Sequence, residues 1–257
     1  MKKLEDWTEQ YYNQIEHYFW TPQDFGRKSN QKNLPWSHWL TKLKNDETPL
    51  NHLLSQLLVM MPQSFTQHIL SSVLVRTIDK FQVVHPYSSD APLKGVIQPD
   101  LTFESKNGLV FIEMKVDSES SIDQFVKYAI AASIYEKAFG KYETIDLVML
   151  GKSKDFKQFF RPIQLLPNEA ALRQQANRGI DGEHVWKQAS AKNYIENASP
   201  EDLQELKKVL EKMKLHLIDY QTIGESALQY QSPDETSEKI LKYFLLELST
   251  RNLFKTN

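Results

Sequence analysis

Two apolar segments on either side of Asn107-Gly108 constrain the fold of this chain most strongly. The segments, 96–103 and 109–116, are both rich in branched apolar residues, which is typical of β-strands. Asn-Gly is the dipeptide that best tolerates the positive φ angles of a type I′ turn. The pattern therefore predicts a β-hairpin with its turn at Asn107-Gly108.

The two-residue repeat of a strand sorts the side chains of this hairpin onto two faces. Asp100, on the first strand, shares a face with the polar residues at 98 and 102. Glu113 and Lys115 share one face of the second strand. The opposite face of that strand is apolar and comprises Val110, Ile112, Met114 and Val116. We therefore expect the three charged side chains to meet on a polar face.

The length of the loop decides which charged side chains are directly opposed. A two-residue loop places Asp100 opposite Lys115, whereas a four-residue loop (105–108) places Asp100 opposite Glu113. Both loops keep the apolar faces together, but a three-residue loop would break the match. Directly opposed Cβ atoms lie about 5 Å apart, so either register gathers the three charges.

This charge cluster is suited to phosphate chemistry. Two nearby carboxylates can share a hard cation such as Mg²⁺, which takes oxygen ligands and keeps several waters. An ammonium beside them can hold a water or a phosphate oxygen, and its field favours the ionised acids. The same residues also fit an exposed hairpin in which they form a solvated ion cluster that contributes little stability.

The order of these residues resembles the signature of the PD-(D/E)XK nucleases. Pro99-Asp100 stands on one strand, and Glu113-Met114-Lys115 stands on the next. The resemblance implies that Asp100 and Glu113 hold Mg²⁺, or Mn²⁺ in its place, with a backbone carbonyl near Met114 as a further ligand. It also implies that Lys115 orients the attacking water and stabilises charge on the phosphate.

The helix predicted over 121–139 extends this resemblance. Gln124 and Tyr128 stand one helical turn apart, which resembles the Q-x-x-x-Y feature of the RecB-like branch. There these two residues hold nucleic acid or support the site. The resemblance covers about a third of the chain, residues 64–151, and implies an α/β fold. Its restriction-endonuclease-like core has the order helix, three strands, helix, strand.

The expected activity is metal-dependent hydrolysis of phosphodiester bonds, in DNA rather than RNA. Defence, restriction, repair and mobile-element processing all remain open, because a fold does not choose among them. Many relatives carry a further acid on the leading helix, but residues 64–78 contain none, so the number of metal ions stays open. The alternatives are a non-catalytic nucleic-acid-binding or scaffold subunit and an all-helical interaction protein with an incidental hairpin.

Composition limits the remaining classes of protein. The chain has no cysteine, which excludes disulfides and the iron–sulfur cluster of some RecB-like nucleases. No apolar run approaches the ~18 residues of a membrane span, and the first ten residues lack a signal-like apolar stretch. We therefore expect a cytoplasmic protein.

Although the net charge is −2, segment 151–193 carries eight Lys/Arg against four acids, which favours a local basic surface for DNA.

The expected organisation is a helical N-terminal region (1–62), a nuclease core (63–151) and a helical C-terminal region (152–257). Ser199-Pro200 and Ser232-Pro233 each predict a helix start with a serine N-cap. The first of these helices carries apolar residues at heptad spacing, namely Leu203, Leu206, Leu210, Met213 and Leu217. This seam could pack internally or form a homodimer or partner surface.

A local acid–histidine cluster, 181–184, is explained most simply as a turn.

Overall fold

A computed structural model describes residues 50, 54, 57–58, 60–74, 82–84, 97, 99–116, 120–160 and 166–255. These residues form an α/β fold, as the sequence predicts. Residues 1–49 of the predicted helical N-terminal region lie outside the described residues. The elements are α1 (Gln63–Leu74), β1 (Gln82–Val84), β2 (Leu101–Glu104), β3 (Gly108–Met114), α2 (Ile122–Phe139), β4 (Thr144–Gly151), α3 (Phe156–Phe159), α4 (Glu169–Arg178), a π-helical turn (Gly179–Glu183), α5 (Ala189–Asn197), α6 (Pro200–Lys212), β5 (Lys214–Asp219), α7 (Tyr220–Gln229) and α8 (Glu235–Thr250).

The strands form one mixed sheet in the order β1-β2-β3-β4-β5. Strands β1 to β3 pair antiparallel, whereas β4 is parallel to both β3 and β5. Helix α2 makes the crossover from β3 to β4. This sheet rules out the all-helical alternative. None of the described helices is both long and apolar enough to cross a membrane.

Helices cover both faces of the sheet, so every residue of β3 is buried. On one face the side chains of Val110 and Ile112 pack in a cluster with α1, α7 and α8. On the other face Leu109 and Phe111 pack under α2, α4 and α6. The face predicted to be polar is therefore apolar along most of its length. Its charged residues are confined to the end of β3, where they form the site described below.

The hairpin adopts the second of the two predicted registers. Phe103 pairs with Val110 and Leu101 pairs with Ile112, which is the register of the four-residue loop. One further step along this ladder brings Asp100 opposite Glu113. The apolar faces of the two strands coincide, as the two-residue repeat requires.

The turn itself differs from the type I′ turn predicted for Asn107-Gly108. Among the described residues, positive φ occurs at Gly140, Gly182 and Asn252 alone. The loop is closed instead by Ser105, whose N–H donates to the carbonyl of Gly108 (2.8 Å) and whose Oγ accepts from the N–H of Gly108 (2.9 Å). The carbonyl of Asn107 accepts from the N–H groups of residues 143 and 144. These contacts hold the loop against the start of β4.

The predicted heptad seam is interrupted. Helix α6 ends at Lys212, and Leu217 lies on β5 opposite Met149 of β4. Leu206 and Leu210 are buried on α6 as the seam requires. After α6 the chain alternates apolar and polar residues, and pairing with the open edge of β4 satisfies its backbone hydrogen bonds.

The two predicted helix starts have different outcomes. Ser199 caps α6 as expected, since its Oγ accepts from the N–H of Asp202 at 3.1 Å. Ser232 does not cap α8, because the helix begins at Glu235 with Asp234 as its N-cap. The Asp234 carboxylate accepts from the N–H of Ser237 at 2.8 Å, and aspartate serves this position as well as serine does.

Candidate active site

Asp100 and Glu113 both lie at the end of the hairpin. Asp100 directly precedes β2, and its Oδ2 accepts a hydrogen bond from the backbone N–H of Met114 at 2.7 Å. Glu113 is the penultimate residue of β3 and is buried. The antiparallel pairing thus places both carboxylates at the end of the hairpin where β2 begins and β3 ends.

Three side chains hold the carboxylate of Glu113. Its Oε1 accepts from Nζ of Lys115 at 2.6 Å and from Nε2 of Gln124. Its Oε2 accepts from the hydroxyl of Tyr128. The Lys115 and Glu113 side chains are only 12% and 9% exposed, so water screens this ion pair weakly. All five residues singled out in the sequence therefore gather at the carboxyl end of β3.

Helix α2 supplies two of these donors because it lies over β3. Gln124 and Tyr128 are four residues apart and so share one helical face. Ser121 caps the helix, and its Oγ accepts from the N–H of Gln124 at 3.3 Å. The Tyr128 ring is fully buried against Phe111, with ring centroids 5.4 Å apart.

The electrostatic surroundings of Tyr128 fix its protonation state. Burial, followed by the negative charges of Glu113 and Asp100 and the hydrogen bond to Glu113, raises the pKa of Tyr128 well above its usual value. The phenol consequently keeps its proton. In this site Tyr128 acts as a hydrogen-bond donor to Glu113.

A second buried carboxylate lies in the first turn of α2. Asp123 accepts hydrogen bonds from the N–H groups of Lys187 (2.6 Å) and Gln188 (2.8 Å) and pairs with Nε2 of His184 (3.0 Å). Burial raises its pKa, but these hydrogen bonds outweigh burial and bring the pKa below its usual value. Asp123 therefore fastens the loop that follows the π-helical turn to the start of α2.

This pair was not found from the sequence. The expected turn is present at Gly182, where φ is 94°. His184, however, pairs with an acid 61 positions away, while Glu183 pairs with Arg178. Asp123 and His184 come together because α2 packs against the loop, and a contact over this sequence distance cannot be predicted from local residue spacing.

Four of the eight cations of the basic segment 151–193 form ion pairs among the described residues. Arg173 donates to the side chain of Glu169 at 2.8 Å and to the carbonyl of Met213 at 2.5 Å. Lys192 lies 3.8 Å from Glu196. Residue 161 lies outside the described residues. Several cations of this segment therefore stabilise the C-terminal helices, and the sequence count overstates the charge available to a nucleic acid.

The donor set at the hairpin end fits a hard divalent cation. Mg²⁺ is held in proteins by one or two carboxylates together with waters and substrate phosphates. Each carboxylate oxygen carries two lone pairs, and within the described part of the chain Oε2 of Glu113 accepts one hydrogen bond, from Tyr128. Across these same residues no three Asp, Glu, His or Cys side chains come together as a metal-binding group. Any ion here would rely on Asp100, Glu113 and water.

Comparisons with protein-family models, curated proteins and solved structures gave no match to this chain. The arrangement of the side chains at the end of β3 is therefore the basis of the functional proposal.

Proposed function

We propose that this chain is a Mg²⁺-dependent nuclease of the PD-(D/E)XK type that hydrolyses phosphodiester bonds, with DNA as the favoured substrate. The observation that carries the proposal is the cluster at the end of the hairpin, where Asp100 accepts from the N–H of Met114 at 2.7 Å and Lys115 binds Glu113 at 2.6 Å. The order α1, β1–β3, α2, β4 also agrees with the helix, three strands, helix, strand order of a restriction-endonuclease-like core.

Asp100 and Glu113 would hold the metal ion in this proposal. A bound Mg²⁺ or Mn²⁺ supplies Lewis acidity and lowers the pKa of a coordinated water. The ammonium of Lys115 lies beside the same carboxylates, where it orients the attacking water and stabilises negative charge on the phosphate. Its low exposure strengthens that stabilisation, because electrostatic interactions are stronger when water is excluded.

Gln124 and Tyr128 are positioning residues in this proposal. They donate to different oxygens of Glu113 and so fix the orientation of its carboxylate plane. Mutation of residues that orient a metal ligand in this way typically lowers metal affinity about 10–100-fold.

The burial of the charged residues argues against a binding-only scaffold. A module that only binds nucleic acid gains most from exposed cations that neutralise phosphates. Here Lys115 is nearly buried and directed to Glu113, and burying such a pair carries a desolvation cost. A buried cluster of this kind is expected when the acids and the ammonium act together on a substrate, and not when the protein only binds nucleic acid.

A cleavage assay tests the proposal. Plasmid, linear duplex, single-stranded DNA and RNA are each incubated with Mg²⁺ or Mn²⁺ and with wild type, Asp100→Ala or Lys115→Ala. Glu143→Ala serves as the control, because Glu143 is an exposed carboxylate at the start of β4. We expect metal-dependent cleavage by wild type and the control, and a loss of at least about 100-fold in both site variants.

Cleavage that survives in both site variants would contradict the assignment of the site. Absence of cleavage by wild type, together with no rise in melting temperature on adding Mg²⁺ or Mn²⁺, would favour the scaffold alternative. If Mg²⁺ or Mn²⁺ raises the melting temperature of wild type but not of Asp100→Ala, the site binds metal and other substrates should be tested.

A further inference from the structure

Lys127 lies on α2 beside the candidate active site and takes no part in the hydrogen bonds described above. It follows Gln124 by three residues, which is about 4.5 Å along the helix axis, and it directly precedes Tyr128. Its side chain is partly buried. The negative charges of Glu113 and Asp123, the two buried carboxylates of this region, both act on its ammonium.

Neither carboxylate forms an ion pair with Lys127. Among the residues that the structure describes, Lys127 has no carboxylate within ion-pair distance and no hydrogen-bond partner for Nζ. The neighbouring lysines differ: Lys115 binds Glu113 at 2.6 Å, and Lys137, at the other end of α2, binds Asp202 at 2.6 Å. Burial lowers the pKa of Lys127, and the charges of Glu113 and Asp123 raise it in partial compensation.

In the described part of the chain, Nζ of Lys127 is not among the buried side-chain atoms that lack a hydrogen-bond partner, so this ammonium reaches solvent. A solvent-accessible ammonium beside the site can contact a ligand that enters from solvent. An ammonium offers three hydrogen-bond donors and acts as a compact positive charge. A phosphate oxygen can accept these hydrogen bonds and carries negative charge. Lys115 binds Glu113 and is assigned to the phosphate at the cleaved bond, so among the described residues beside the site Lys127 is a cation available for a neighbouring phosphate.

We propose that Lys127 binds a backbone phosphate of the nucleic acid strand next to the bond that is cleaved. The inference rests on the proposed nuclease function and adds a substrate contact to it. A phosphate contact of this kind positions the strand without reading its sequence. It would therefore contribute equally to the binding of every oligonucleotide that enters the site.

The test is the salt dependence of oligonucleotide binding. Fluorescently labelled single-stranded and duplex DNA are titrated with wild type, Lys127→Met and Lys137→Met in EDTA, where a metal-dependent nuclease cannot cleave. Each neutralised phosphate contributes about 0.7 (single strand) to 0.9 (duplex) to the slope of log K against log salt. We expect Lys127→Met to lose about that amount, Lys137→Met to keep the wild-type slope, and Lys127→Arg to restore it.

An unchanged slope in Lys127→Met, or an equal loss in Lys137→Met, would overturn the inference. So would a wild-type protein that binds neither oligonucleotide at low salt. If Lys127→Met does not fold, Lys127→Gln replaces it, since Gln removes the charge but keeps a polar side chain. The cleavage assay judges the nuclease proposal separately: cleavage abolished by Asp100→Ala with an unchanged Lys127→Met slope would refute only the phosphate contact.

Discussion

The hydroxyl of Tyr128 donates a hydrogen bond to Oε2 of Glu113 and thereby joins the middle of α2 to the end of β3. Since Tyr128 is fully buried, this bond cannot shift without a change in the packing between helix and sheet. The orientation of Glu113 thus depends on the packing of the core beneath it.

Tyr128→Phe should weaken both stability and metal binding. A hydrogen bond to a charged group contributes about 1.5–3 kcal/mol to stability, and loss of a group that orients a metal ligand lowers metal affinity about 10–100-fold. Urea unfolding and a Mn²⁺ titration measure the two effects. Tyr142→Phe is the matched control, because the Tyr142 hydroxyl binds Glu104 near the other end of the sheet. Equal metal affinity in the two variants would contradict the role given to Tyr128.

The same tyrosine makes stability sensitive to alkaline pH. The pKa of Tyr128 is raised above its usual 10.0 in the folded protein, so the unfolded chain releases this proton first as pH rises. The stabilisation is present in full below pH 10 and is lost as pH rises further. Burial, with a smaller effect of Glu104, also raises the pKa of Tyr135 to about 12. The unfolding free energy of wild type should fall above pH 10, and that of Tyr128→Phe should fall less steeply. Identical slopes would contradict this.

The sequence predicts the hairpin well because the signals involved are local. The two-residue repeat around Asp100 and Glu113 is visible in the printed chain, and it limits the register to two alternatives. The choice between them depends on Ser105 and on contacts of the loop with residues 143 and 144. Those contacts are tertiary, so the Asn107-Gly108 dipeptide alone predicts the wrong turn.

Two other features could not be predicted for the same reason. The spacing around Leu217 is compatible with either a helical heptad or a strand. Leu217 lies on strand β5 because this segment pairs with the open edge of β4. Asp123 and His184 are brought together by the packing of a loop on α2. Local periodicity therefore predicts elements and faces, whereas the choice among competing partners depends on the assembled core.

Lys115→Met should abolish cleavage and cost some stability. The substitution keeps the apolar stem of the side chain but removes the ammonium that binds Glu113 at 2.6 Å. The buried carboxylate then lacks one donor, at a cost of about 1–3 kcal/mol. Lys115→Arg should not restore cleavage, because a planar guanidinium cannot place its charge where the compact ammonium lies. Full activity in Lys115→Arg would count against a specific role for this ammonium.

Asp123→Asn should destabilise the loop that packs on α2, most clearly through its pH dependence. The pKa of Asp123 lies below its usual 3.8 in the folded protein, so this stabilisation is present above pH 3.8 and lost as pH falls through the folded value. The variant should be less stable than wild type near neutral pH and should lose less stability in acid. Urea unfolding at neutral and acid pH measures this, and parallel pH profiles would show that Asp123 is not responsible.

The central claim is that Asp100 and Glu113 together bind a divalent metal ion, and Mn²⁺ binding followed by electron paramagnetic resonance tests it most directly. Wild type, Asp100→Asn, Glu113→Gln and the control Glu143→Gln are titrated in the absence of nucleic acid. We expect wild type and the control to bind Mn²⁺ equally and each site variant to bind it at least about tenfold more weakly. Equal binding by all four proteins would contradict the claim.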